Sequence, residues 1–285
     1  MTPSDIDTLV VQAPDIETPV LKALAHRTGA SSIEAIPGLS HQGFRLAPAS
    51  KREGIAELAR EAKLDWAIVP AAQRRTRIRL VVMDMDSTLI TIECIDEIAA
   101  IAGIKPQIAA ITERAMRGEL DFRQSLVERV ALLRGLDASA LQQVYDKRLR
   151  LSPGAERMIA GFRAVGAQTL LASGGFDFFT DRLRARLGLD ATVSNTLEIL
   201  DGKLTGRVSG DIVDASVKAE WTRHMASELR GDEGLVVAIG DGANDLPMLR
   251  EADVSIAYRA KPLVRAEATY AIDHCGLDAA LNLFL

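Results

Sequence analysis

Apolar positions along the chain fall into short blocks, and their grammar changes near Ile78. Before it, Thr8 to Val11 reads as a short apolar strand, and Thr18 to Leu24 carries Val20, Leu21 and Leu24 at helical spacing. Ser32 to Ile36 and Gly43 to Leu46 read as two strands about a turn at Pro37-Gly38. Gly54 to Leu64 returns to helix with Ile55, Leu58, Ala59 and Ala62 on one face, and Trp66 to Val69 is a last strand. The order β-α-β-β-α-β is that of a split βαβ unit. Polar Gln73-Arg74-Arg75-Thr76-Arg77 then predicts a linker or domain edge, with the arginines solvated rather than forming an anion-binding patch.

From Ile78 onward, buried-type strands alternate with helices. Ile78 to Met83 is a β-rich run closed by Asp-Met-Asp-Ser-Thr, and Ile92 to about Arg148 is helical in pattern with breaks near Gly103, Gly118 and Gly135. Gln168 to Ala172 predicts a strand ending in Ser173-Gly174-Gly175, and Leu235 to Ile239 one ending in Gly240-Asp241-Gly242. Thr192 to Val208 predicts a hairpin about Asp201-Gly202; Val254 to Ala257 and Tyr270 to Ile272 are further strands. Such alternation predicts a doubly wound α/β fold, a parallel sheet covered on both faces, which binds ligands beyond the carboxyl ends of its strands.

A length of 285 residues fits two domains, or one with an insertion. With 48% hydrophobic and 26% charged residues the chain is neither disordered nor fibrous. A net charge of −5 gives no general attraction for a phosphate backbone, so no nucleic-acid partner is expected. Cys94 and Cys275 are too few for a disulfide framework, which fits a reducing cytoplasm. The start MTPSDIDTLVV has no basic segment ahead of an apolar core, and no apolar run approaches the roughly 18 residues of a bilayer span. The expectation is a cytoplasmic enzyme with no membrane partner.

Two predicted strands deliver carboxylates at their C-terminal ends, Asp84 and Asp86 after the first and Asp241 and Asp245 after the later one, and Ser173 lies at the same edge. Any one of these alone reads as a turn cap. Four anions converging in one crevice repel unless a cation neutralises them. With oxygen ligands and no His or Cys cluster, that cation is a hard one, Mg²⁺. The set therefore points to metal-dependent phosphoryl chemistry.

Asp84-Met85-Asp86-Ser87-Thr88-Leu89-Ile90, Ser173-Gly174-Gly175, Lys218 and Gly240-Asp241-Gly242-Ala243-Asn244-Asp245 resemble, in order, the four motifs of the haloacid dehalogenase superfamily. Within it, Glu93 followed by a helical insert, Asp121-Phe122-Arg123-Gln124-Ser125-Leu126 running to Arg129-Val130, and Ser173-Gly174-Gly175-Phe176 resemble the phosphoserine phosphatases from about Arg77 to the C-terminus. The N-terminal unit resembles an ACT-like α+β domain in topology, with Ala13-Pro14-Asp15 where ligand-binding ACT modules often carry a glycine. The resemblance implies an ACT-like domain over residues 1–75 and a haloacid dehalogenase-like, Rossmann-type domain over 76–285 with a helical cap at about 92–150.

The same resemblance implies hydrolysis of O-phospho-L-serine to L-serine and phosphate, the last step of serine biosynthesis. Asp84 would be the nucleophile, passing through an aspartyl-phosphate, and Asp86 the acid that protonates the seryl oxygen. Asp84, the backbone carbonyl of Asp86, and Asp241 would hold Mg²⁺, with Asp245 supporting. Ser173, Gly174, Lys218 and Asn244 would bind the phosphate end. Glu93 would take the ammonium and Arg129 the carboxylate as a bidentate fork, while Met116 and Phe122 keep water out beneath the cap.

Other readings of the same residues are a phosphatase for phosphohomoserine or a sugar phosphate, or an amino-acid sensor with an idle phosphatase domain. A receiver-type phospho-acceptor at Asp84 is disfavoured by the large insert and by Asp86. Cys94 reads as a packing residue, and His26, His41, His224 and His274 show no ligand spacing. An exposed edge strand in the N-terminal unit leaves room for a homodimer.

Overall fold

The computed structural model describes residues 7–285 apart from Leu39. Met1 to Ile6, part of the start on which the leader reading rests, lie outside the described residues.

The N-terminal unit runs β1 (Thr8–Ala13), α1 (Thr18–Thr28), β2 (Ser32–Ala35), β3 (Gln42–Ala47), α2 (Ile55–Glu61) and β4 (Asp65–Val69). Its sheet is antiparallel, ordered β2-β3-β1-β4, with Val10 opposite Arg45 on one side and Ala67 on the other. Leu9 and Val11 pack on Leu21, Leu24, Ile55 and Ala59, which is why the two helices share one face. Helix α1 runs further than its apolar spacing predicts, to a left-handed Gly29.

The second sheet has seven strands in the order β11-β10-β9-β5-β6-β7-β8. These are β5 (Ile78–Met83), β6 (Gln168–Phe176), β7 (Ala191–Leu200), β8 (Lys203–Ser209), β9 (Leu235–Gly240), β10 (Val254–Tyr258) and β11 (Tyr270–Ile272). Helices α7 (Ala155–Arg163), α8 (Asp177–Leu187), α9 (Ala215–Leu229), α10 (Leu246–Arg250) and α11 (Pro262–Glu267) cover it. Along β5, Val81 and Met83 pack with Phe162 and Phe179 on one face, and Leu80 and Val82 with Met225 and Leu249 on the other. Burial on both faces explains the apolar run from Leu80 to Met83. The hairpin makes β8 an antiparallel edge, so the sheet is mixed rather than purely parallel. The chain leaves β5 for β6 on one side and later returns to β9 on the other, which places the topological switch at the C-terminal end of β5.

Between β5 and α7 the chain forms a cap of four helices, α3 (Cys94–Ile101), α4 (Lys105–Met116), α5 (Phe122–Ala131) and α6 (Ser139–Lys147). A reciprocal capping box, Asp121 with Gln124, starts α5. The strands entering and leaving the cap pair with each other. Ile90 bridges Leu151, Thr91 N–H donates to the Arg150 carbonyl at 3.0 Å, and Ser152 N–H donates to the Leu89 carbonyl at 2.9 Å.

The N-terminal unit is bound to the larger sheet by buried polar contacts. The Asp65 carboxylate, 3% exposed, accepts from the backbone N–H groups of Asp273 (2.7 Å), His274 (3.1 Å) and Cys275 (2.8 Å). Gln12 donates to the Ala279 carbonyl and accepts from Asn282. The Gln73 to Arg77 stretch joins the two units with its side chains half-buried or exposed, and it is also held by its backbone. Arg75 N–H donates to the Leu285 carbonyl at 3.1 Å and Leu285 N–H to the Gln73 carbonyl at 3.0 Å, so backbone pairing ties the segment to the chain's final residues. Among the described residues no helix is long and apolar enough to cross a membrane.

Candidate active site

A cleft of about 350 Å³ opens where β5, β6 and β9 end beneath the cap. It is lined by Asp84, Asp86, Ser173, Gly174, Asp241, Asn244 and Lys261 from the sheet side and by Glu93, Asp96, Phe122 and Arg129 from the cap side. A larger cleft of about 740 Å³ between α2, β4 and β11 contains none of the clustered acids.

At the floor, Lys218 from the first turn of α9 is 1% exposed. Its Nζ donates to Asp84 Oδ1 at 2.5 Å and to Asp245 Oδ1 at 2.9 Å. Burial alone would lower the Lys218 pKa, but Asp245 and Asp84 more than reverse this and hold the ammonium above its ordinary value. Asp214 caps α9 by accepting from Ser216 and Val217, which fixes the turn that carries Lys218. The other oxygen of Asp245 accepts from the backbone N–H of Asp241 (3.1 Å) and Gly242 (3.0 Å). Both Asp245 oxygens are thus committed to protein donors, which suits a supporting role.

Burial, then the Asp245 charge, raise Asp84 well above the ordinary carboxyl value against the pull of Lys218. Burial, then Glu93, raise Asp86 to about 7. Burial raises Asp241 to about 6, and Asp245 adds to that shift. One oxygen of Asp84, of Asp241 and of Asp245 lie within 4.8 Å of one another. Hard oxygen donors so close, with a single buried ammonium among them, fit a divalent cation. Thr88 donates to Asp241 Oδ1 at 2.8 Å and so fixes that carboxylate.

Asp86 Oδ1 accepts from the Cys94 backbone N–H at 3.1 Å, so the first residue of the cap's first helix orients it. Glu93, at the N-cap of α3, accepts from the Ser87 hydroxyl at 2.7 Å. Ser87 occupies the left-handed region at φ 58°, the bend that turns the chain from Asp86 toward the cap. Strand β6 continues through Ser173 to Phe176 rather than stopping at Ala172, and the Ser173 hydroxyl accepts from Gly175 N–H at 2.9 Å. A Cβ on Gly174 would stand 2.8 Å from the Phe122 ring, and one on Gly175 would stand 2.9 Å from Asp86 Oδ2. Glycine is needed at both because the cap ring and the acid come that close.

The structure therefore brings together Asp84, Asp86, Glu93, Phe122, Arg129, Ser173, Gly174, Lys218, Asp241, Asn244 and Asp245. Met116 is a correction: it is 74% exposed and does not line the cleft. It ends α4, a helix whose one fully buried residue is Ile108, so its side chain projects into solvent instead of across the site. Sequence reasoning gave no role to Thr88 or Lys261 and read Cys94 as a packing residue, which its burial bears out. Thr88 and Cys94 act through contacts with residues already singled out, and Lys261 stands in an unremarkable Ala-Lys-Pro step.

Residues 81–250 match the family model described as haloacid dehalogenase-like hydrolase. A phosphoserine phosphatase of Polaromonas sp. is 51% identical over 210 residues, covering 72% of this chain and 89% of the relative. A crystal structure of a haloacid dehalogenase family hydrolase from Salmonella enterica serovar Typhi superposes with a TM-score of 0.87 at 33% identity, covering 98% of this chain and 99% of that one. A probable phosphoserine phosphatase from Vibrio cholerae, unliganded, gives 0.82 at 34% identity over 99% of this chain and 87% of that one.

Proposed function

The chain belongs to the haloacid dehalogenase-like hydrolase family, and on that premise we propose that it hydrolyses O-phospho-L-serine to L-serine and phosphate with Mg²⁺ as its cation. The observation that carries the reading is a single cleft with two chemistries on opposite walls. Carboxylates stand at the ends of β5 and β9 with Lys218 of α9 beneath them, and Glu93 and Arg129 line the cleft from the cap.

Asp84 is the nucleophile. Its Oδ1 is held by Lys218, which leaves Oδ2 to attack phosphorus and form the aspartyl-phosphate. Asp86, raised to about 7, keeps a proton near neutrality and passes it to the departing seryl oxygen; its carboxylate then takes a proton from the water that hydrolyses the acyl phosphate. Lys218 offsets the charge of Asp84 as the phosphoryl group arrives. Gly174 lets the backbone approach a phosphate oxygen, and the Ser173 hydroxyl, accepting from Gly175, turns its own hydrogen toward the cleft. Asp84, Asp241 and the Asp86 carbonyl would hold Mg²⁺, which would supply positive charge to offset that of the phosphoryl group.

On the cap, Glu93 receives the ammonium of the substrate. Arg129, anchored through Nε to the Ser125 carbonyl at 3.2 Å, presents its other nitrogens to the carboxylate. A phosphate ester lacking those groups would leave both charges unpaired, which is the basis of selection. Phe122 covers the phosphate end through its contact with Gly174.

The test is phosphate release from O-phospho-L-serine with and without Mg²⁺, with Asp84→Asn as control and O-phosphothreonine, phosphohomoserine and an aryl phosphate alongside. Mg²⁺-dependent preference for phosphoserine, lost in the variant, is the expected result. Equal or better turnover of the other esters overturns the substrate, and no release from any ester overturns the activity.

A further inference from the structure

Five carboxylates, Asp84, Asp86, Glu93, Asp96 and Asp241, line the cleft, against two cations among the described residues, Arg129 and Lys261. Arg129 belongs to the cap wall. Lys261 belongs to the sheet wall, in the loop that follows β10. Nothing in the reaction described above uses it.

The position of Lys261 is fixed with unusual care for an exposed lysine. Its backbone N–H donates to the carbonyl of Asp241 at 3.1 Å, tying it to the loop that carries the cation-binding carboxylate. Two residues earlier, Arg259 adopts a left-handed φ of 46° while its N–H donates to the Ile272 carbonyl at 2.8 Å. A non-glycine residue held there costs on the order of 1 kcal/mol or more, which the surrounding structure must sustain. Pro262 follows and locks the exit from the loop. Among the described residues Lys261 has no ion pair, although the neighbouring Arg265 is paired with Asp273. A lysine with a fixed backbone and no ion pair thus lines a mainly acidic cleft together with Asp241 and Asn244.

We propose that Lys261 is a binding residue for the phosphate group, drawing the phosphomonoester dianion into the acidic cleft and holding inorganic phosphate before release. The proposal deepens the phosphatase reading of this site and rests on it. A phosphate brings roughly two negative charges into a cleft lined mainly by anions. Lys218 is buried below and committed to Asp84 and Asp245, so a second cation at the rim meets the dianion first.

The experiment compares Lys261→Ala and Lys261→Arg with the parent enzyme, with Mg²⁺ present, on phosphoserine, on an aryl phosphate, and in inhibition by inorganic phosphate. Lys261→Ala should raise KM for both esters and the inhibition constant for phosphate by a common factor of about three- to tenfold, as expected for one partly exposed charge contact, with the loss in KM rather than kcat. Its kcat/KM should also depend less on ionic strength. Lys261→Arg should restore most of the affinity. An unchanged phosphate inhibition constant in Lys261→Ala overturns the proposal, as does a loss that arginine fails to restore while both variants melt lower, which marks a structural role. If the parent enzyme ignores phosphoserine, the substrate reading fails, while the aryl phosphate and phosphate arms still decide the role of Lys261.

Discussion

Replacing Asp241 by Asn should make the protein more stable and less able to bind metal. The Asp241 carboxyl is raised from its ordinary 3.8 to about 6, first by burial, and Asp245 adds to the shift. The folded state therefore holds this proton more tightly than the unfolded chain does, and ionising the group costs folding energy. That cost is absent below the unfolded pKa, grows between 3.8 and about 6, and is complete above the folded value. At about 1.4 kcal/mol for each tenfold in proton affinity it reaches about 3 kcal/mol above neutrality, as an upper bound. The amide keeps an oxygen for the Thr88 hydroxyl, and the bond from the Lys261 N–H to the Asp241 carbonyl is untouched, so the charge is what changes. Without metal, in chelator at pH 8, the variant should melt higher than the parent by roughly 5–10 °C. At pH 5 the advantage should fall to about half, because part of the cost is then relieved by protonation. Saturating Mg²⁺ should reverse the order, stabilising the parent and leaving the variant where it was. Calorimetry at the two pH values, with and without metal, reads all three. A variant less stable than the parent at pH 8 in chelator, or an advantage that does not shrink with acid, would refute the reasoning.

Two other substitutions separate the remaining parts. Asp65→Asn keeps the shape of the side chain but sets an amide donor against backbone donors at residues 273–275. It should cost about 2–4 kcal/mol and speed hydrogen exchange at those three amides; unchanged protection there would show that the carboxylate does not hold the two sheets together. Arg129→Lys replaces a fork with a point charge, and should cut kcat/KM for phosphoserine by about ten- to a hundredfold while leaving an aryl phosphate within twofold; equal losses on both would remove Arg129 from substrate selection.

How much of this was legible depends on the range over which each residue acts. Asp84, Asp86, Asp241 and Asp245 were readable because an apolar strand ending in an acid is a local pattern, and four of them fall on one edge of a parallel sheet. The cap was readable from its helical spacing and its glycine breaks. Lys218 has no local mark, since a lysine on a helix is ordinary, and only its order between two motifs brought it forward. Met116 follows only from the family resemblance, and its side chain goes where the packing of α4 sends it, which no spacing encodes. Asp65 and Lys261 act through backbone groups about 208 and 20 residues away, and a hydrogen bond to a main-chain atom leaves no residue-type signature at its far end.

The paired strands at the mouth of the cap have a consequence for how such an enzyme changes its substrate. Glu93, Phe122 and Arg129 all lie on the stretch that leaves the body beyond Ile90 and rejoins it at Leu151, while Asp84, Ser173, Lys218, Asp241 and Asp245 lie outside it. Entry and exit meet at one bridge, so the intervening chain is a cassette with adjacent ends, fastened to the sheet elsewhere by the pairing of residues 135–138 with Gly202 to Leu204, which a replacement must supply anew. On the proposed reading, the phosphoryl-transfer groups and the groups that read the leaving group are carried on separate lengths of polypeptide, joined where the Cys94 N–H meets Asp86. Selection, or an engineer, can redraw one while the other is inherited whole.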